Sequence, residues 1–187
     1  MIKVLHLILF FSSWQKISDY YLNNVKTIYA EFTEILISDE DRREFEGALW
    51  ANREGYLRFS ITKPDSQILF VRKDRVFIYD FEEKKESEIF SSPYLPEFFL
   101  LNFENFYNLK EGKIKADTSI YIFERRDSSL VYDTIEVLME DKNKKPFRLN
   151  IISKDLSVKY IIIFKNFVIN PIISKDIFFK VQVHQRK

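Results

Sequence analysis

Alternating apolar and polar residues between positions 47 and 80 constrain the fold of this chain more than any other feature of its sequence. Apolar side chains take every second position of two successive runs, at Leu49 and Ala51 and again at Leu57, Phe59 and Ile61. A period of two, rich in aromatic and β-branched residues, is typical of strands with one apolar face. Turn-forming residues at positions 54–55, 63–66 and 73–74 separate the runs. The stretch therefore predicts four consecutive β-strands.

One charged residue, Arg53, breaks this pattern. It falls in phase with Leu49 and Ala51, so we expect it to point toward the apolar side of the sheet. A guanidinium carries five donors and no acceptor, and it keeps its charge at any relevant pH. A buried Arg53 would need acceptors such as the carbonyls at a helix C-terminus. The alternative is an arginine at the strand edge, in a surface salt bridge with Glu46 or Glu54.

Strand patterns continue toward the C-terminus. We predict a fifth strand at residues 84–90 and further strands at 114–124, 131–139, 147–152 and 158–164. The charged residues 40–46 are predicted to form a solvated loop. A strongly twisted antiparallel sheet of about ten strands tends to curl. The predicted fold class is therefore mainly β with α (α+β), built on one strongly curved antiparallel sheet.

The N-terminal part predicts a signal peptide followed by a helix. Residues 1–14 contain Lys3, an apolar run and two serines, which is typical of a secretory signal, although an uncleaved amphipathic start is the alternative. The apolar run is shorter than the roughly 20 residues of a membrane-spanning helix. A helix is then predicted over residues 15–29, because apolar residues recur at steps of three and four: Ile17, Tyr21, Val25, Ile28 and Phe32. Residues 15–187 are predicted to form a single domain.

Residues 91–106 interrupt the strand pattern. Pro93 and Pro96 are unsuited to a central strand, but proline is common in the first turn of a helix. Phe98, Phe99 and Leu100 then begin a segment that is apolar nearly all round. Such a segment either is a buried connecting helix or covers another apolar surface.

Composition excludes several classes of site. The chain has no cysteine, and its two histidines are His6 and His184, close to the two ends. Thiol nucleophiles, zinc–thiolate sites and histidine-based triads are therefore not expected. The net charge is +1 with charges of both signs interspersed, which is unlike a nucleic-acid-binding surface. We expect neither an enzyme nor a bound metal or cofactor.

Motifs spread over residues 17–181 resemble the periplasmic outer-membrane lipoprotein carrier family, LolA. The first is a strand from Gly47 through Leu49 to Arg53, followed by a turn at residues 64–65 and a strand that ends at residues 79–80. Residues 30–34 and the aromatic cluster at 176–179 resemble two further family motifs. The resemblance implies an incomplete half-barrel of ten or eleven strands, covered by short lid helices.

The resemblance also implies a site and a function. The implied lipid cavity is lined by Leu49, Ala51, Leu57, Phe59, Ile61, Phe98, Phe99 and Leu100. Arg53 is the implied lid switch, since the family's arginine bonds to lid carbonyls when the cavity is empty. The implied protein is a monomeric periplasmic carrier that ferries acylated lipoproteins from an inner-membrane transporter to an outer-membrane acceptor or to the membrane itself.

Three departures from the family pattern accompany the resemblance. Glu34 stands where the family usually has glutamine, Glu54 follows the arginine where proline is frequent, and residues 73–75 replace an Asp-Gly turn. A different class of function remains open, namely a sensor or scaffold domain that binds a lipid or a protein without transporting it. An enzyme acting on lipids would need a catalytic pair inside the cavity, and the sequence offers none.

Overall fold

The structure is a computed structural model that describes residues 2–39, 41–72, 75–89, 107–128, 132–153 and 158–181, with backbone alone for residues 2–12 and 89. The chain begins with one helix, α1 (Ile2–Asn24). The strands are β1 (Thr27–Ser38), β2 (Arg42–Asn52), β3 (Tyr56–Lys63), β4 (Gln67–Arg72), β5 (Arg75–Asp80), β6 (Lys85–Ile89), β7 (Tyr107–Lys115), β8 (Thr118–Arg125), β9 (Tyr132–Glu140), β10 (Lys145–Ser153) and β11 (Val158–Ile169). A short 3₁₀ segment, Lys175–Phe178, follows β11.

All described strands belong to one open, curved antiparallel sheet. Its order is β6-β5-β4-β3-β2-β1-β11-β10-β9-β8-β7. Each strand except β1 and β11 pairs only with strands adjacent to it in sequence, as expected for a meander of hairpins. The first and last strands meet in the middle of the sheet, where Ile28 pairs with Ile169 and Ser38 with Val158. This central seam joins the two halves.

One face of the sheet, which we call the inner face, carries the hydrophobic core. The alternation seen in the sequence places Leu49, Leu57 and Phe59 on this face, together with buried residues from β8 to β11. Val25 and Ile17 of the N-terminal part join the same cluster. The opposite, outer face carries the intervening residues, among them Trp50 and Arg58. Helix α1 therefore covers the inner face.

Tight turns are built without relying on glycine, of which the chain has 3. Lys84, Ala116 and Lys144 each take a positive φ between 50° and 53° at the hairpins β5–β6, β7–β8 and β9–β10. Gly55 does the same at β2–β3, with a φ of 85°. The left-handed conformation suits hairpin turns but costs a non-glycine residue about 1–2 kcal/mol. The three hairpin turns with a non-glycine residue at positive φ are therefore slightly strained.

The described fold confirms the four strands of residues 47–80, the fifth strand, and the strands predicted at 131–139, 147–152 and 158–164. The predicted helix 15–29 is wrong at both ends, because α1 begins at Ile2 and ends at Asn24. Ile28 and Phe32 lie in β1 instead. A spacing of four residues puts two side chains on one face of a helix and also on one face of a strand. The sequence pattern could not separate the two.

Two other predicted segments are wrong. The solvated loop at 40–46 is mostly strand, since β2 starts at Arg42 and its charged end pairs with the end of β1. The single strand at 114–124 is a hairpin, in which β7 turns at Ala116 into β8. Among the described residues the inner face is covered by one 23-residue helix rather than by several short lid helices. The predicted segment 91–106 lies outside the described residues, and no helix in the described part is long and apolar enough to span a membrane.

Candidate functional site

The inner face of strands β2 and β3 brings together most of the predicted cavity residues. Leu49 pairs with Phe59, and Ala51 pairs with Leu57. Leu49 and Leu57 are fully buried, and Ala51 and Phe59 are buried as well. Ile61, two residues after Phe59 and near the end of β3, is half-buried. The three remaining predicted residues, at positions 98–100, lie outside the described part of the chain.

Small residues shape this apolar layer. Ala30 of β1 and Ala51 of β2 contribute little volume next to Leu49. Gly47 lies beneath the ring of Phe32, and a Cβ atom added at Gly47 would stand 2.9 Å from that ring and 2.5 Å from the Ser60 carbonyl oxygen. Only glycine permits so close an approach at this position. The layer is therefore shaped by an aromatic ring lying against the sheet backbone.

Helix α1 is fixed to the other half of the inner face by aromatic residues. The Trp14 ring lies 4.9 Å from the Tyr121 ring and 4.7 Å from the Phe123 ring, measured between centroids. The hydroxyls of Ser13 and Tyr121 are 2.8 Å apart and share a hydrogen bond. Tyr21 donates its hydroxyl to the Lys144 carbonyl at 2.7 Å, and burial raises its pKa. The helix thus has defined contacts with strand β8 and with the turn between β9 and β10.

Arg53 fastens the C-terminal end of this helix to strand β2. Its Nε and Nη2 atoms donate to the Val25 carbonyl at 3.0 and 2.6 Å, and Nη2 also donates to the Tyr21 carbonyl at 3.4 Å. Both carbonyls lie at the end of α1, where the helix dipole favours a positive charge. Arg53 as a whole residue is exposed rather than buried. The acceptors lie in the last turn of α1 and at the residue directly after the helix.

The alternative prediction, a surface salt bridge between Arg53 and Glu46 or Glu54, is wrong. Glu46 instead accepts from Lys63 at 2.8 Å and Lys165 at 3.0 Å, and these two ammonium groups lower the pKa of its carboxyl to about 2. Glu54 pairs with Lys175 at 3.3 Å. Arg53 therefore donates its hydrogen bonds to backbone carbonyls.

Asn170 is a second residue that holds the end of the helix, and sequence reasoning missed it. Its side-chain oxygen accepts from the Lys26 amide at 2.7 Å, and its Nδ2 donates to the Asn24 carbonyl at 2.9 Å. Asn170 follows β11 with a φ of 57°, a conformation that asparagine tolerates better than most residues. The Asn-Pro pair at 170–171 was the available signal. The end of α1 is thus tied to both β2 and β11.

Glu34 places a carboxyl group on the inner face. It lies two residues beyond Phe32 in β1, and its register partners are Phe45 in β2 and Ile162 in β11. Burial raises the pKa of Glu34 to about 7. Burial, aided by Tyr160 and by Glu34, likewise raises the pKa of Tyr132. No lysine or arginine in the described part of the chain forms an ion pair with Glu34, so the carboxyl group is largely protonated when the pH is below 7.

No group of three or more histidine, aspartate or glutamate side chains within the described ranges is placed to hold a metal ion. The inner face offers instead a continuous apolar layer, a covering helix, and polar fastenings at one end of that helix. Chemically, such an arrangement can bind an apolar molecule if the helix moves.

The chain matches a known protein family over most of its length. A family model described as outer membrane lipoprotein carrier protein LolA matches residues 23–180. No curated protein sequence matches the chain at a significant level.

Solved structures with a similar fold include three of low sequence identity. A LolA superfamily protein from Nitrosomonas europaea is 11% identical, with a TM-score of 0.53 over 88% of this chain and 95% of that one. An uncharacterized conserved protein from Thermus thermophilus is 12% identical, with a TM-score of 0.54 over 86% and 90%. A DUF1329 family protein from Desulfovibrio piger is 10% identical, with a TM-score of 0.52 over 88% and 96%. At these identities the likeness concerns the fold.

Proposed function

This chain belongs to the LolA family of outer membrane lipoprotein carriers, and from that membership we propose that it carries lipoproteins across the periplasm. In this proposal the acyl chains of a lipoprotein bind between the inner face of the sheet and its cover. The protein receives its cargo from an inner-membrane lipoprotein-releasing transporter. It delivers the cargo to an outer-membrane acceptor protein or directly to the membrane, as a monomer and without a catalytic step or cofactor.

The energetic argument rests on the apolar inner face. Removing an acyl chain from water is worth roughly 0.8 kcal/mol per methylene group. An apolar layer that includes Leu49, Leu57 and Phe59 can supply that environment only if something keeps water away when no lipid is bound. Helix α1 covers this face in the described structure, and it must be displaced for acyl chains to enter.

The observation that carries the proposal is the fastening of α1 by Arg53. Three hydrogen bonds join this guanidinium to the carbonyls of Tyr21 and Val25. We interpret the described structure as the closed, empty state, in which these charge-assisted bonds oppose opening. Acyl chains that lift the helix break the bonds, and their re-formation favours release of the cargo. Arg53 then sets the balance between holding and releasing lipoprotein.

Replacing Arg53 with leucine tests the proposal. We expect the Arg53→Leu protein to fold, to take up lipoprotein from spheroplasts that carry the transporter, and to retain it when outer-membrane vesicles are added. The measurement is the fraction of radiolabelled lipoprotein transferred to the vesicles over time. Arg75→Leu is a matched control, because Arg75 is exposed on β5 and its ion pair with Glu88 is long, at 3.8 Å. The control should transfer cargo like the unmodified protein.

Two results would contradict the proposal at different levels. Normal transfer by Arg53→Leu would show that the fastening of α1 does not govern release. Failure of the unmodified protein to take any lipoprotein from spheroplasts would overturn the carrier function itself. Stable lipid binding without transfer would favour the alternative class, a domain that senses or scaffolds rather than transports.

A further inference from the structure

The outer face of the sheet carries a row of stacked aromatic and guanidinium groups. Trp50, Arg58, Phe70 and Phe77 are successive register partners across strands β2 to β5. The Arg58 guanidinium lies 5.4 Å from the centroids of both the Trp50 and Phe70 rings. The Arg72 guanidinium lies 4.8 Å from the Phe70 and Phe77 rings. Each arginine is therefore held between aromatic faces, an arrangement that favours a desolvated cation.

The two arginines of this row differ in their counter-charges. Arg72 donates from Nη1 and Nη2 to the two oxygens of Glu86 at 2.7 and 2.8 Å. Its Nε donates to the Phe178 carbonyl at 3.0 Å. The charge of Arg72 is thus neutralised by a bidentate ion pair within the protein.

Arg58 has no such partner in the described part of the chain. It is only 4% exposed. Its Nη1 donates to the carbonyls of Ile177 and Lys180, both at 3.1 Å, while its buried Nε has no hydrogen-bond partner. No described residue accepts a bond from Nη2. Nε is enclosed by the protein, so Nη2 is the donor left for a ligand, and a carboxylate can accept a charge-assisted hydrogen bond from it.

Arg58 also lines a cavity of about 870 Å³ on this face. Small-molecule sites commonly measure about 300–1,000 Å³. The other walls combine aromatic and aliphatic side chains with hydroxyl groups: Tyr29, Trp50, Ser60, Thr62, Ile68 and Phe81. The cavity therefore offers an apolar body with a few polar groups, as binding sites for small organic molecules do.

The other charged residues that line the cavity have partners within the protein or are exposed. Glu46 and Lys165 pair with each other at 3.0 Å, and Glu46 also pairs with Lys63. Glu31 accepts the Tyr29 hydroxyl at 2.8 Å. Of the two cations that line the cavity, Lys165 is paired and Arg58 lacks a counter-charge among the described residues. A buried, unpaired cation is unfavourable, and an anionic ligand would relieve it.

We propose that this outer cavity binds a small amphipathic carboxylate, such as a fatty acid, through the Nη2 atom of Arg58. The apolar body of the ligand packs against Trp50, Ile68 and Phe81, and the carboxylate supplies the missing counter-charge. Arg58 and the ligand contacts named here belong to the outer face, opposite the face proposed to hold lipoprotein acyl chains. Phe32, Gly47 and Ile61 of the inner layer also border the cavity. The proposal of a carboxylate site does not depend on the proposed carrier function.

In protein produced with residues 1–14 retained, the two tryptophans of the chain allow the two faces to be observed separately. In a Trp14→Phe protein the remaining Trp50 reports on the outer cavity, and in a Trp50→Phe protein Trp14 reports on the inner face. We expect sodium dodecanoate, titrated below its micellar concentration, to change Trp50 emission with saturation at one molecule per chain. Dodecan-1-ol, which has the same chain without the charge, should bind at least tenfold more weakly.

Variants locate the ligand. In the Trp14→Phe background, Arg58→Met should weaken dodecanoate binding at least tenfold, whereas Arg72→Met, which leaves the cavity lining intact, should change it by less than threefold. Ser60→Phe fills the cavity while retaining Arg58, so it should abolish the Trp50 response even if Arg58→Met does not fold. Circular dichroism confirms that each variant is folded. Equal binding by folded Arg58→Met or by Ser60→Phe, or a response confined to Trp14, would overturn the proposal.

Discussion

Glu34 makes the stability of this protein depend on pH, and a Glu34→Gln substitution should remove that dependence. Glutamine has almost the same shape as glutamate and stays uncharged at every pH. The carboxyl group lies on the inner face between Phe45 and Ile162. Burial raises its pKa from the ordinary value of 4.5 to about 7. The substitution therefore exchanges a carboxyl group that ionises unfavourably for an amide that never ionises.

The sign and size of the effect follow from linkage. A carboxyl whose folded-state pKa is raised keeps its proton in the folded state between pH 4.5 and about 7, while the unfolded chain loses it. Stability therefore falls as the pH rises through this window. At roughly 1.4 kcal/mol per pKa unit, the full cost above pH 7 is about 3 kcal/mol. Below pH 4.5 the carboxyl is protonated in both states and the cost vanishes.

Urea unfolding at pH 5, 6, 7 and 8, followed by tryptophan fluorescence, measures this difference. The unmodified protein should lose about 2–3 kcal/mol more than Glu34→Gln between pH 5 and pH 8. Glu46, whose pKa is lowered to about 2 by its two lysine partners, stays ionised throughout this range and adds no slope. The two histidines are present in both proteins, so their contribution cancels in the comparison.

Glu44→Gln is the control, because Glu44 is exposed in the same strand pair. It should leave the pH dependence unchanged. The reasoning is refuted if Glu34→Gln and the unmodified protein lose stability in parallel from pH 5 to pH 8. It is also refuted if Glu34→Gln is the less stable of the two at pH 8.

Three further predictions concern stability and are measured by urea unfolding at constant pH. Gly47→Ala should destabilise the fold by about 1–3 kcal/mol, because the new methyl group meets the Phe32 ring and a backbone oxygen; an unchanged midpoint would mean that the ring moves freely. Ala116→Gly should stabilise by about 1 kcal/mol by relieving a φ of 53°, and a loss of stability would contradict the strain. Asn170→Ala should cost about 2 kcal/mol, through two lost hydrogen bonds and a left-handed backbone. Asn170→Gly, which keeps the backbone relaxed, should cost less than Asn170→Ala, and equal losses would assign the whole effect to the side chain.

Local patterns explain what the sequence predicted well. Strands β2 to β5 follow one another through short turns, so period-two alternation and turn residues were sufficient to find them. The same phase argument placed Arg53 on the side of the apolar residues, where it contacts helix α1. The family match over residues 23–180 confirms the resemblance read from motifs in the sequence.

Contacts between distant parts of the chain explain what the sequence did not reveal. The acceptors of Arg58 are the carbonyls of Ile177 and Lys180, in a segment more than 100 residues away that follows β11 and packs against β3. Asn170 likewise holds residues 24–26 only because β11 ends beside the end of the helix. Strand β1 was obscured because its inward residues also matched a helical spacing. No local pattern encodes such long-range partners.

The central seam of the sheet has a consequence for synthesis on the ribosome. Strand β1 emerges early, yet its partner on one side, β11, is the last strand in the described part of the chain. Until then the nascent half-sheet β1–β6 exposes an unsatisfied backbone edge along all of β1, next to inward-facing residues such as Ile28 and Phe32. Such edges are templates for wrong pairing with other chains. We therefore expect chains truncated before β11 to aggregate. We also expect chains that are still being synthesised to need protection from aggregation until β11 has been made.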